Sequence, residues 1–480
     1  MNPSTLTEHQ NAVTRRTFLA RTSSGLGAAA LAQLFGSGAL ASTQTESRTG
    51  TLGAPHFAPK AKRVIYLHMS GGPSQLETFD PKPNLKDWNG KPLPDSVRGT
   101  QRLTTMTRTQ AAFNVMASEQ EFRRFGQSGQ LMNSLFKHVG GIADEMCVIR
   151  SLHTEPINHD PAVTFLQTGS PLAGRPSMGS WLSYGLGSES DNLPAFVVLL
   201  SGGGGQPVPS RYWHNGFLPS RHQGVKFQSA GDPVLFLSNP EGMSHANRGR
   251  TVESISALNR LKFEQVGDPE IEARIDAFQL AYRMQTSVPE LMDISRESPE
   301  VLASYGAEPG KPSFAANCLL ARRLAESGVR FIQLYDRGWD HHDGITGAIK
   351  GKIGEVDQAS AALVRDLKNR GMLDDTLVVW GGEFGRTTYA QTRNQNFGRD
   401  HHPRCFSIWM AGGGVQPGIT YGATDEFGYN VAKNPVHVHD LQASMMHLLG
   451  IDHEALTYRF KGRDFRLTDV HGKVVHDLLT

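Results

Sequence analysis

Beyond residue 60 the apolar positions gather into short continuous runs: Arg63-Val64-Ile65-Tyr66-Leu67-His68-Met69, Cys147-Val148-Ile149, Ala195 to Leu200, Val329 to Leu334 and Thr376 to Trp380. Runs of this length, bounded by turn residues, predict buried strands. Helical spacing lies between them, over Phe314 to Ser327 and Gly354 to Arg370. Strands alternating with helices predict an α/β fold, a mostly parallel central sheet with helices on both faces, whose ligands gather at the strand carboxyl ends. Residues 84–130 and 201–300 are less regular, with Gly202 to Gly205 and several prolines, and read as excursions around that site. With no linker-like break, no internal repeat and no heptad run, residues 61–480 are expected to form one domain carrying these insertions.

The first 60 residues read differently. Thr14-Arg15-Arg16-Thr17-Phe18-Leu19 matches the twin-arginine pattern, a mild apolar stretch follows from Leu26 to Leu40, and Ala39-Leu40-Ala41 supplies small residues for signal cleavage. The expectation is a signal over 1–41 removed after Ala41, a flexible linker over 42–60, and a periplasmic or secreted mature protein handled by the twin-arginine export machinery. Gly25, Gly27, Gln33, Gly36 and Gly38 make the stretch too weakly apolar for a stable membrane span.

Composition narrows the functional classes. With 48 basic and 46 acidic residues the formal charge is +2, which leaves no electrostatic footprint for nucleic acid. Cys147, Cys318 and Cys405 lack CxxC spacing, so no zinc knuckle or dense disulfide framework is written here, and one disulfide stays open as an alternative.

Three polar clusters adjoin predicted strands and carry carboxylate and imidazole, the ligands of hard and borderline divalent cations. They are Trp339-Asp340-His341-His342-Asp343, Gly381-Gly382-Glu383-Phe384-Gly385-Arg386-Thr387, and Gly398-Arg399-Asp400-His401-His402-Pro403. Each alone is equally well a solvated loop. Their placement around one parallel sheet lets them converge, and predicts a site for one or two divalent ions: zinc, manganese, calcium or magnesium.

These residues, with the opening Ser70-Gly71-Gly72-Pro73-Ser74-Gln75-Leu76-Glu77-Thr78-Phe79-Asp80-Pro81-Lys82-Pro83, Ala411-Gly412-Gly413-Gly414 and the ending His437-Val438-His439-Asp440-Leu441, resemble the exported family called domain of unknown function 1501 (DUF1501), placed with the alkaline phosphatase and sulfatase fold. The resemblance spans about residues 63–455. It implies an alkaline-phosphatase-like domain with metals held at strand ends and a nucleophile that attacks phosphorus or sulfur. On that basis Asp340, His342, Glu383, Asp400, His401 and His402 are the expected metal ligands. Counting back from Thr168-Gly169 brings Asn158 or His159 to the nucleophile's place, with Thr154 a weaker candidate. Arg386 and Arg399 are expected to meet an anionic substrate or to brace a carboxylate.

Two departures stand out. His68-Met69-Ser70 replaces the usual metal-binding Asp of the first strand, with Glu77 or Asp80 as candidate substitutes, and no Cys/Ser-x-Pro-x-Arg sulfatase motif occurs. Asp440 is expected to cap the closing helix. The implied function is an exported metal-dependent hydrolase of phosphate or sulfate esters, acting on a small-molecule or polysaccharide ester. The alternative is a non-catalytic metal- or carbohydrate-binding protein on the same scaffold.

Overall fold

The computed structural model describes residues 50–229, 231–235, 237–391 and 396–480. The export signal expected over 1–41 lies outside the described residues.

The strands are β1 (Arg63–Ser70), β2 (Phe122–Phe125), β3 (Gln130–Asn133), β4 (Met146–His153), β5 (Phe196–Ser201), β6 (Val225–Lys226), β7 (Phe331–Arg337), β8 (Thr376–Gly381), β9 (Gly385–Ala390), β10 (Arg399–His402), β11 (Phe406–Ala411) and β12 (Ile419–Tyr421). The longer helices are α1 (His159–Thr168), α2 (Met178–Leu186), α3 (His245–Val266), α4 (Pro269–Met292), α5 (Phe314–Glu326), α6 (Ile345–Asn369) and α7 (Val438–Leu448). Among the described residues a nine-stranded sheet runs β12-β4-β11-β8-β1-β7-β5-β6, with Val436–His437 added along β4. Its pairings are parallel except those of β11, which lies antiparallel to both β4 and β8.

The apolar runs form strands because both faces of the sheet are covered. Ile65, Leu67 and Met69 pack with α5 and α6 on one side, whereas Val64 and Tyr66 pack with α1, α2 and α7 on the other. This burial removes the apolar surface of β1, β7 and β8 from water.

Several local expectations change. Helix α6 starts at Ile345, nine residues ahead of the Gly354 read from spacing, after Gly344 in a left-handed conformation. The 201–300 stretch contains α3 and α4, two long helices packed together, where only irregular excursions were expected. Helix α3 buries only Gly249, Val252 and Ser256, so its sequence carries little apolar stripe to read. Asp440 is the third residue of α7 and accepts from the backbone N–H of His437, which holds the cap position itself. The three cysteines are buried and free.

Candidate metal centre

The carboxyl ends of β1, β4, β7 and β8 share one edge of the sheet, and the segments that leave them meet there. Asp340 and His342 follow β7, Glu383 sits in the turn from β8 to β9, His159 opens α1 after β4, and His401 is supplied by β10. Close backbone contact makes this convergence compatible with packing. Gly71, at φ +119°, lies against the Asp340 backbone, where a Cβ would come within 2.5 Å of its nitrogen.

Three imidazoles converge on one carboxylate oxygen. Asp340 Oδ1 lies 2.8 Å from His342 Nε2, 3.1 Å from His159 Nε2 and 3.5 Å from His401 Nε2, and the last two rings of the chain order, His342 and His401, bring their Nε2 atoms within 3.1 Å. One ligand atom from each of these four residues lies within 4.8 Å of the others. Every Nδ1 is engaged on the far side of its ring: His159 with Glu383 Oε1 at 2.6 Å, His401 with the Ile157 carbonyl at 2.8 Å, and His342 with Gln391 Oε1. Carbonyl and carboxylate oxygens only accept, so each Nδ1 carries a proton, and each ring presents its Nε2 to Asp340.

Three imidazole nitrogens crowded on one carboxylate oxygen are stabilised by protons or by a cation among them. Burial, the largest influence on His401, pushes its pKa down to about 4, so at neutral pH this ring brings no proton of its own. Burial likewise lowers His159, but the carboxylates of Asp340 and Glu383 reverse that and raise it overall. Asp340 is pushed up by burial, yet its contacts with the three histidines and Arg386 hold it far below the usual carboxylate range. Glu383, also penalised by burial, is held low by His159 and His68. Donors bound to one ion at about 2.0–2.1 Å stand roughly 3–3.4 Å apart around it, which the observed separations approach. The residues present therefore fit a divalent metal.

The supporting groups fix this geometry. Glu383 accepts from the Gly71 N–H at 3.0 Å and lies 3.5 Å from His68 Nε2. It stands behind His159 as the carboxylate partner of a carboxylate–histidine–metal arrangement, not among the four converging groups where the sequence placed it. Arg386 donates to Asp340 Oδ1 at 2.7 Å and to the Gly71 and Gly72 carbonyls. The guanidinium braces the carboxylate. Gln206 donates to the other oxygen, Asp340 Oδ2, at 3.0 Å.

Other expected site residues lie elsewhere. Asp400 accepts from Thr104 at 2.5 Å and Thr107 at 2.6 Å, and His402 binds the Tyr429 carbonyl at 2.6 Å, so neither joins His401 in the cluster. Side chains alternate along a strand, and Asp400 and His402 face away from the direction His401 takes. Arg399 uses its donors on Glu77 and on the carbonyls of Thr387, Thr388 and Met116, leaving none for a substrate. Glu77 is thereby occupied, and Asp80 pairs with Lys82 at 3.1 Å and Thr424, so neither replaces the missing Asp. Asn158 holds the cap position of α1 without a side-chain cap bond, and its side chain is exposed. His68, Gln391 and the Ile157 carbonyl were not expected as supports. Only His68 carried a signal, as an imidazole at the end of a buried strand.

Among curated proteins none matches the sequence. The fold is similar to that of the lipoteichoic acid synthase LtaP from Listeria monocytogenes, at 10% identity and TM-score 0.34, over 88% of this chain and 78% of that one. It is similar to alkaline phosphatase from the Antarctic bacterium TAB5, at 10% identity and TM-score 0.33, over 82% of this chain and 99% of that one. The PsFucS1 sulfatase from Pseudoalteromonas sp. matches at 13% identity and TM-score 0.34, over 84% of this chain and 69% of that one. The model of the protein of unknown function family DUF1501 matches residues 61–479, nearly all that follows the expected signal, and the chain belongs to that family.

Proposed function

We propose that this protein is a metal-dependent hydrolase of phosphate or sulfate esters, working in the periplasm or outside the cell after twin-arginine export and cleavage following Ala41. The observation that carries the reading is the convergence of three imidazole Nε2 atoms on Asp340 Oδ1. Asp340, His159, His342 and His401 would hold the ion, and three nitrogens with one oxygen favour a borderline metal such as zinc over the harder manganese, calcium or magnesium. When bound, a divalent metal polarises an ester oxygen and lowers the pKa of water.

The chain's own groups would do the rest. Glu383 keeps the His159 proton on Nδ1, the Ile157 carbonyl does the same for His401, and Arg386 fixes the Asp340 carboxylate. Asp340 and His342 are the partly exposed members, so an ester would approach from their side. The start of α1 has no side-chain cap, so the His159 backbone N–H would be available to an anionic oxygen there. His159 is read as a holder rather than a nucleophile, because Glu383 takes one nitrogen and the cluster takes the other.

One observation favours the non-catalytic alternative: no serine, threonine or cysteine hydrogen-bonds into the four-residue cluster among the described residues. Elemental analysis of the wild type and of an Asp340→Ala/His342→Ala variant, followed by assays on phosphate and sulfate esters, separates the readings. Metal present in the wild type, lost in the variant, and accompanied by metal-dependent turnover supports the hydrolase. Metal without turnover of either ester class supports binding alone, and a wild type that takes up no metal on reconstitution overturns both.

A further inference from the structure

A second polar cavity lies away from the metal cluster, beneath the β2–β3 hairpin at the edge of the sheet. It encloses about 310 Å³ and is lined by Arg124, Ser128, Gln130 and Arg150, with Thr420 of β12 and backbone from Gly129 and Gly418. The volume is at the small end of ligand sites. The two arginines share one feature: among the described residues neither forms an ion pair with a carboxylate.

Arg150 leaves β4 on the face covered by the hairpin and gives Nη2 to the Leu131 carbonyl at 2.8 Å, while its Nε is buried without a partner. Arg124 gives Nη1 to the Gly129 carbonyl at 2.9 Å. Burial lowers the Arg150 pKa, the Asp80 carboxylate opposes this, and Arg124 adds a smaller lowering; Asp80 itself is paired with Lys82 and Thr424. The two guanidinium groups thus line one cavity with no carboxylate paired to either, and the buried Nε of Arg150 lacks an acceptor that an anion would supply. The wall is preformed, because Asp144 accepts from the Gln127 and Ser128 N–H groups at 2.9 and 2.7 Å, which fixes the hairpin turn and holds the carboxylate in its charged form.

We infer that this cavity binds a tetrahedral oxyanion, sulfate or phosphate, either free or as a substituent on a polymer. Guanidinium groups match such an anion in two-pronged fashion, and the Ser128 and Thr420 hydroxyls stand in the lining to complete its hydrogen bonds. The site uses none of the residues that converge on Asp340, so it stands whether or not the proposed hydrolysis does.

Calorimetric titration of the metal-loaded full chain with inorganic sulfate and with phosphate, against chloride at matched ionic strength, tests it. Saturable binding of at least one of the two is expected, weakened about tenfold or more by Arg124→Gln and by Arg150→Gln, as loss of a charge-assisted bond would give. The Asp340→Ala/His342→Ala variant should keep this binding, which separates the cavity from the metal centre. No saturable binding beyond chloride, undiminished binding in both arginine variants, or loss only in the metal-centre variant would overturn the inference. Should Arg150→Gln fail to fold, Arg124→Gln on the exposed hairpin decides alone. A sulfated oligosaccharide that binds tenfold more tightly than inorganic sulfate assigns the anion to a polymer; equal affinity assigns it to the free ion.

Discussion

Asp340 and Arg399 occupy adjoining polar regions, joined where Arg386 donates to the Arg399 carbonyl, yet the two regions are built to opposite ends. Around Arg399 every donor finds an acceptor: Glu77 takes a forked pair, and three backbone carbonyls take the remainder. Around Asp340 three imidazole Nε2 atoms crowd one carboxylate oxygen, while each Nδ1 is engaged on the outside of the cluster. The first region is complete as it stands, and its role is to hold β10 against the turn after β1. The second gathers one carboxylate and three imidazoles whose ligand atoms lie within 4.8 Å of one another, a set that could hold a metal ion. Similar residue types therefore serve cohesion in one place and are proposed to serve binding in the other, and what distinguishes them is whether each charged group meets a complete set of partners.

The comparison can be broken most sharply at Arg399. Arg399→Met leaves Glu77 buried and unpaired, so unfolding in urea should show a loss of about 3–5 kcal/mol. An unchanged midpoint would mean that the pair does not hold the region together. In the metal cluster, Glu383→Gln keeps the shape but weakens the grip on the His159 Nδ1 proton; metal affinity measured by competition with a chelator should fall about 10–100-fold. Asp400→Asn addresses a carboxylate assigned here to cohesion. It should cost about 1–3 kcal/mol through the Thr104 and Thr107 bonds, while metal affinity stays within about threefold of wild type. A collapse of metal binding without a stability change would return Asp400 to the ligand set.

The smallest effect is a pH dependence. Burial pushes His402 down to about 4 from the ordinary 6.5, so between these values the unfolded chain binds a proton that the folded chain refuses. This contribution to stability is fully present above pH 6.5 and declines as pH falls toward 4. Urea midpoints of the metal-free protein at stepped pH should drop through that window, with a shallower slope in His402→Gln. An identical slope would show that His402 is not a source of the decline.

Much of the sheet is legible in the chain because its strands are buried on both faces and read as uninterrupted apolar runs, as from Val64 to Met69. Helices α3 and α4 are not, since they rest mainly on each other and expose Leu258, Leu261 and Phe278. At the site, the loop Trp339 to Asp343 announces its chemistry because its polar residues follow a strand end. The run Asp400-His401-His402 misleads for the opposite reason: composition shows three ligand types in a row, while pleating allows only some of them to face one point. Gln391 and the Ile157 carbonyl carry no signal at all, since an amide or a backbone oxygen gains its role only from the ring that comes to rest against it.

Glu383 binds the Gly71 N–H across 312 positions of sequence and His159 across 224. Contacts closed over such lengths carry a large loop entropy and form only when the sheet between them has assembled. An ion held at this centre would therefore meet walls that depend on the assembled sheet, and would not be expected to template them in the manner of a zinc finger. Stripping the metal should leave the scaffold standing, and the order of events in the cell follows: the chain folds first, and whichever compartment completes that folding decides which ion it meets.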